Sequence, residues 1–318
     1  MSGLTRREAA RWLLARDSFL ILTHSRPDGD TVGSAAALCR GLRKLGKTAH
    51  VLRNMEVTEK YIHLPAGLNR DCPENGDVLI SVDVATPKLL PEAVSHLARF
   101  VQLRIDHHRT DTPFAPLELV DTGAGACGEI IYDLLQELGV EPDKAIAEAL
   151  YTAVATDTGC FRYANTTEHS FLVAAACARA GGDLHGINQA VFETNSFSRL
   201  RLQSWMVEHV RFLKEGTGAV CALPMSLESR LGLREDDMEN ISGFLRTIEG
   251  VRVAATLRQT GENRVKLSVR AVPGYDAAWV CAEFGGGGHK GAAGATLALP
   301  LDEAEKAVAS RIEKLLEQ

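Results

Sequence analysis

Ser18-Phe-Leu-Ile-Leu-Thr-His24-Ser-Arg-Pro-Asp28-Gly-Asp30-Thr-Val-Gly-Ser34 is the stretch on which the fold turns. A short apolar run enters a polar turn, and a helical pattern follows from about Thr31 to Leu45. Gly46 stands where a helix commonly ends on a left-handed residue. A strand from Thr48 to Arg53 comes next. Two further apolar runs, Asp77–Asp83 and Phe100–Asp106, each close on an aspartate. Continuous apolar strands separated by helices predict an α/β fold, with a mostly parallel sheet flanked by helices on both faces.

Downstream, helical periodicity covers Ala126–Leu138, Pro142–Thr156 and Thr167–Ala180, with Pro142 in a first turn where proline is tolerated. Helix is expected to continue from about His185 to Lys214. From Gly216 the character changes. Ala219–Leu223, Val251–Arg258 and Arg264–Arg270 are strand-like, the last two alternating as half-exposed antiparallel strands do. Helices near Met238–Ile248 and Asp302–Leu316 would cover the other face. The expected organisation is a catalytic domain over 1–190, a helical connector over 191–215, and a smaller C-terminal α/β domain over 216–318.

The 318 residues suffice for two cores. Lys plus Arg number 35 against 41 Asp plus Glu, a formal charge of −6. Gripping long nucleic acid takes many cationic contacts to phosphate, so the chain is expected not to bind it. A small anion remains compatible where positive charge or metal is concentrated. The seven scattered cysteines form no C-x-x-C and read as reduced thiols. The N-terminus reads as an amphipathic helix, and no apolar stretch is long enough for a membrane span. A cytoplasmic protein without membrane partners is expected.

Acidic and imidazole side chains gather where the predicted parallel strands end: His24, Asp28, Asp30, Asp83, Asp106, His107 and His108, joined by Asp157 at the end of a helical run. In open α/β sheets that edge binds ligands. Gly29 lets the chain bend between two carboxylates, and Asp83, with two oxygens, can bridge two cations. Imidazole mixed with carboxylate suits Mn²⁺, Fe²⁺ or Zn²⁺. The set is too large for one ion and suits two, the arrangement used for in-line phosphoryl hydrolysis by hydroxide. Any single aspartate after a strand is as readily a helix N-cap. Four segments converging on one sheet edge point to a site.

The chain resembles the DHH phosphoesterase family, in the branch that joins an oligoribonuclease (nanoRNase) with a phosphatase for 3′-phosphoadenosine 5′-phosphate, pAp. The carrying motifs are the His24–Ser34 turn, Ser81-Val-Asp83, Asp106-His107-His108, Thr156-Asp157-Thr-Gly-Cys-Phe-Arg-Tyr-Ala-Asn-Thr-Thr167 and Gly285-Gly-Gly-Gly-His289-Lys-Gly-Ala-Ala-Gly294. The resemblance implies that His24 and Asp28 hold one Mn²⁺, Asp30 and His107 the other, and that Asp83 and Asp157 contact both. It places His108 against the scissile phosphate as proton donor or ligand, and Asp106 behind it, orienting a histidine.

The C-terminal part resembles the DHH-associated domain, expected to hold the rest of the substrate and so to measure its length. The run Gly286, Gly287, Gly288, His289 reads as a backbone nest for an anion in preference to a mere turn. Arg264, Lys266, Ser268 and Arg270 alternate on one strand, and Ser268 and Arg270 match the family's Ser-x-Arg. Phe161 or Tyr163 either stacks on a base or packs in the core. Ser34 and Arg109 lie near the chemistry without a defined role. The expected substrates are short oligoribonucleotides and pAp, and a homodimer is the family expectation. The alternatives are a cyclic di-AMP or pApA phosphodiesterase and a non-catalytic nucleotide-binding protein.

Overall fold

The computed structural model describes residues 3–108, 114–238 and 241–317. Arg109 and positions 239–240, inside the helix expected near 238–248, lie outside the described residues. The chain divides into two compact units, Met1–Thr194 and Asn195–Gln318.

The first unit runs α1 (Arg6–Leu14), β1 (Phe19–Leu22), α2 (Gly29–Lys44), β2 (Ala49–Leu52), β3 (Asn69–Arg70), β4 (Val78–Val82), β5 (Val101–Asp106), β6 (Leu117–Val120), α3 (Cys127–Glu137), α4 (Lys144–Asp157), α5 (Glu168–Arg179) and α6 (Leu184–Asn188). Its six strands pair in the order β3-β2-β1-β4-β5-β6, every pair parallel. The chain leaves β1 for β2 on one side and later returns to β4 on the other. The β1/β4 seam is therefore the topological switch point, the place where such sheets open a crevice. Phe19–Leu22 and Val78–Val82 are buried at every position, as strands covered on both faces must be. One face packs on α2 and α3, and α1, α4 and α5 extend the same core behind them. The opposite face is covered by Leu90 and Leu97, which flank and occupy 3₁₀ turns rather than α-helices.

Helix α4 lies tight on α2 because Gly33 presents no side chain. A Cβ there would come within 2.4 Å of the Ala149 carbonyl oxygen. This approach carries Asp157, the last residue of α4, to the N-terminal end of α2. The α4 cap is Asp143, whose side chain accepts from Ile146 N–H. Pro142 thus precedes the cap and is not in the first turn.

The second unit runs α7 (Phe197–His209), β7 (Arg211–Leu213), β8 (Gly218–Leu223), α8 (Ser226–Leu231), α9 (Ile241–Leu245), β9 (Val253–Gly261), β10 (Arg264–Ala271), α10 (Ala277–Ala282), β11 (Gly287–Gly288), β12 (Ala292–Leu297) and α11 (Leu301–Leu316). The sheet order is β11-β12-β10-β9-β8-β7, mixed, with β8 and β9 parallel. Helix does not persist to Lys214: Arg211–Leu213 form an edge strand paired with β8. Strand β10 alternates buried and part-exposed residues as expected, whereas β9 is buried on both faces over Val253–Leu257. One face packs on α10 and α11. The other is covered by α7, α8 and α9 over β8 and β9.

Candidate active site

The expected ligands of the first unit converge at the carboxyl edge of its sheet. His24 Nε2 lies 3.6 Å from Asp28 Oδ1 and 3.5 Å from Asp83 Oδ2. His107 Nε2 lies 3.7 Å from Asp30 Oδ2, 3.5 Å from Asp83 Oδ1 and 3.7 Å from Asp157 Oδ2. Among the described residues two ligand groups, His24–Asp28–Asp83 and Asp30–His107–Asp157, are joined by a third of Asp83, Asp106, His107 and His108, and Asp83 touches a histidine of each of the first two. Asp83 adopts φ +57°, a left-handed turn that cuts β4 off and aims the carboxylate across the seam. Such backbone costs about 1–2 kcal/mol, held here by surrounding structure, including the Asp83 N–H bond of 2.9 Å to the Ile105 carbonyl.

Each member is pinned from behind. Asp28 caps α2 by accepting from the N–H groups of Asp30 and Thr31. Buried Asp30 accepts from Cys127 N–H at 2.7 Å and Gly128 N–H at 2.9 Å, the first turn of α3, and from Ser34 Oγ at 3.0 Å. Asn165 donates to the carbonyl and the carboxylate of Asp157. Asn54 donates to the His24 carbonyl at 2.8 Å. Asp106 is fully buried; its Oδ1 accepts from the N–H groups of His107 and His108 and from His108 Nδ1 at 2.9 Å.

The electrostatics follow from crowding carboxylates. Burial pushes the His24 imidazole down, but the contacts with Asp28 and Asp83 outweigh it, leaving the group well above its usual range. By the same balance His107 rises to about 10 and His108 to about 11. Burial raises Asp157 to about 7, and burial together with Asp83 lifts Asp30 far above the usual carboxylate range. Asp83 goes the other way: burial opposes it, but the three imidazoles beside it, of His107, His108 and His24, hold it well below. Protons here occupy a pocket that attracts cations.

In the second unit, Arg264, Lys266, Ser268 and Arg270 share the less buried face of β10. Ser268 stands opposite Gly294 of β12, which stands opposite Gly287 of β11, so these three form one cross-strand row. Arg270 pairs with Ala292 next to that row. Arg264, four residues from Ser268, sits roughly 13 Å away along the strand. Three N–H groups of the glycine run are already engaged within the unit. Gly285 and Gly286 donate to Ala282 and Cys281 carbonyls at the end of α10, and His289 donates to Ala292 across a hairpin. Glycine is needed at 286 because a Cβ would lie 2.2 Å from the Gly294 carbonyl oxygen. Gly287 is exposed with open space around it.

A model of the DHH family N-terminal domain matches residues 18–154, and a model of the DHHA1 domain matches 215–318. A relative from Thermus thermophilus, the bifunctional oligoribonuclease and PAP phosphatase NrnA, is 34% identical over 305 residues, spanning 93% of this chain and 89% of its own. The chain belongs to the DHH family. A crystal structure of an exopolyphosphatase-related protein from Bacteroides fragilis shares the DHH fold over 98% of this chain and 97% of its own, at 24% identity and a TM-score of 0.89. RecJ from Thermus thermophilus, in complex with Mn²⁺, aligns with 97% of this chain and 54% of its own, at 19% identity and a TM-score of 0.53.

Metal fits this DHH site on three observations. Asp83 Oδ1 and His107 Nε2 are buried without a hydrogen-bond partner among the described residues. His24 and His107 each direct Nδ1 at a backbone carbonyl, of Ser25 at 2.9 Å and Ala124 at 3.2 Å, which turns Nε2 toward the carboxylates. That is how histidine is set to ligate. The ligand atoms of each group lie within 4.8 Å of one another. Sequence reasoning passed over Asn54, Arg104, Asn165 and the α3 N-terminus. Asn165 lies inside a quoted motif and carried a signal; the others act through backbone or from behind the sheet. Phe161 packs against Tyr151 and Phe171 in the core, and Tyr163 lies over Gly159.

Proposed function

We propose that this chain is a metal-dependent phosphoester hydrolase acting on short oligoribonucleotides and on pAp, releasing mononucleotides. The observation that carries the reading is the meeting of His24, Asp28, Asp30, Asp83, His107 and Asp157, from four separate segments, around two buried ligand atoms that lack hydrogen-bond partners among the described residues. The activities printed in the name of the Thermus relative supply the substrate class. His24 and Asp28 would hold one divalent cation, Asp30 and His107 a second, with Asp83 and Asp157 shared; Mn²⁺ is the ion we infer from the mixed imidazole and carboxylate set. Such a pair lowers the proton affinity of the attacking water and neutralises charge gathering on the phosphate.

The protein's own groups do the rest. The α3 N–H groups and Ser34 fix Asp30, and the left-handed turn at Asp83 holds one carboxylate between two histidines. His108, anchored through Nδ1 to Asp106, presents Nε2 to the substrate and protonates the leaving oxygen. On the second unit, Arg270 and Ser268, beside Gly287, bind the non-scissile phosphate and sugar; Gly286, Gly288 and His289 shape that hairpin, and Arg264 is peripheral. We place the enzyme in the cytoplasm, where its seven free thiols stay reduced, and expect a homodimer, checked by light scattering.

The deciding experiment is Mn²⁺-dependent turnover measured side by side on pAp, pApA, cyclic di-AMP, a 5-mer, a 24-mer and pyrophosphate. Rapid turnover of pAp and the 5-mer with little of the 24-mer supports the reading. Preference for cyclic di-AMP or pApA moves the enzyme to that activity, and no turnover with bound metal leaves a nucleotide-binding protein.

A further inference from the structure

Arg104 sits on β5 two residues before Asp106 and is fully buried, at 0% relative exposure. A guanidinium in the core persists only when its donors meet acceptors. Here its Nε donates to the Val84 carbonyl at 3.0 Å. One terminal nitrogen pairs with Asp106 Oδ2, and the other faces the Glu118 carboxylate at 3.4 Å. Val84 follows Asp83, the residue with the left-handed backbone. One rigid fork therefore grips both the segment that leaves Asp83 and the carboxylate that carries His108. The two Asp106 oxygens divide their work: Oδ2 faces Arg104, while Oδ1 accepts from two backbone N–H groups and from His108 Nδ1.

A carboxylate held from one side only can rotate about its last torsion, and the imidazole bonded to it turns with it. Clamped from behind by a planar cation, Asp106 has one orientation, and so has the His108 ring. Lysine offers a point charge and no such fork. We propose that Arg104 is a positioning residue for proton delivery: acting through Asp106, it fixes the His108 ring from which the leaving oxygen takes its proton. The proposal rests on the reading of His108 as proton donor. In that step the water oxygen–phosphorus bond forms and the bond from phosphorus to the leaving oxygen breaks. The attacking water releases one proton to solvent, the leaving oxygen takes the Nε2 proton, and solvent water returns one to the ring, so that the protons balance.

The test separates this role from general support of the fold. Rates are measured on pApA, whose leaving group is a ribose hydroxyl, and on a nucleoside 4-nitrophenyl phosphate, whose phenolate departs without a proton. Both come from one preparation, so any shortfall in folded or metal-loaded enzyme cancels from their ratio. For Arg104→Lys we expect the pApA rate to fall about 30-fold and the nitrophenyl rate by no more than about threefold. Arg104→Gln, planar but uncharged, is expected to shift the ratio at least as far. Glu118→Gln loosens the third arm of the fork and carries the test if the buried cation cannot be replaced, with an expected shift of about two- to threefold. His108→Ala is the reference. If it shifts the ratio and the Arg104 and Glu118 variants do not, the proposal is overturned while the proton-donor reading stands. If His108→Ala leaves the ratio unchanged, that reading fails and the proposal falls with it.

Discussion

The two units build their polar sites in opposite ways. The first uses the edge of a parallel sheet: side chains leave the ends of β1, β4 and β5, and α2 and α4 bring others to the same point. The second uses the face of a mixed sheet, where β10 and β12 carry part-exposed residues at the margin of the cover formed by α7, α8 and α9. The difference is one of charge and geometry. Cations need several ligand atoms within a few ångströms, which an edge provides because strands and helices from distant sequence end there together. A nucleotide needs an extended surface with spaced donors, which alternate residues of one strand supply.

Several measurements break or sharpen that contrast. Asp83→Ala removes the carboxylate that contacts a histidine of each ligand group. Hydrolysis of every substrate is expected to fall by about 10³-fold or more, with loss of metal measured by elemental analysis. Retained metal and activity would dissolve the edge site as drawn.

Metal affinity should depend steeply on pH. Without a cation, His107 stays protonated up to about 10, and Asp157 titrates at about 7. A ligating imidazole must lose its proton, so binding is opposed below these values and strengthens as pH rises through about 7 and on to about 10. Each proton released is worth about tenfold per pH unit. Calorimetry of Mn²⁺ binding in buffers of different ionisation enthalpy counts the protons released.

Arg270→Gln tests the face alone. The KM for pAp and short RNA is expected to rise about tenfold, while hydrolysis of a simple chromogenic phosphodiester stays within about twofold. An equal loss on both would tie Arg270 to the chemistry. The smallest effect belongs to Arg264→Gln: at the far end of β10, it is expected to change KM by less than about twofold, as exposed charges usually do. A large effect there would extend the nucleotide face along the whole strand.

Much of the first unit was legible because its signals are local. Apolar runs ending at His24, Asp83 and Asp106 announce buried strands whose ends carry ligands, and Gly46, with φ +76°, ends α2 as read. Legibility failed where pairing or packing decides. Arg211–Leu213 is three residues long and becomes a strand only because β8 lies beside it. The glycine run reads as a nest, and glycine permits both a free anion cradle and close contact. Which of the two it forms depends on where α10 ends and how near β12 lies.

By itself the sequence determined the kinds of groups and their order: imidazoles and carboxylates at strand ends, alternating basic residues on β10, and two units in tandem. These follow from periodicity and side-chain chemistry, which neighbours along the chain fix. Only the tertiary structure decided that α3 cradles Asp30, that Asp83 turns left-handed between two histidines, and that Arg104 backs Asp106 from the core. The first two join segments far apart in sequence, and Arg104, though only two residues from Asp106, is held by Val84 and Glu118 from the neighbouring strand segments; the distances are set by how helices and strands pack, Gly33 against α4 among them.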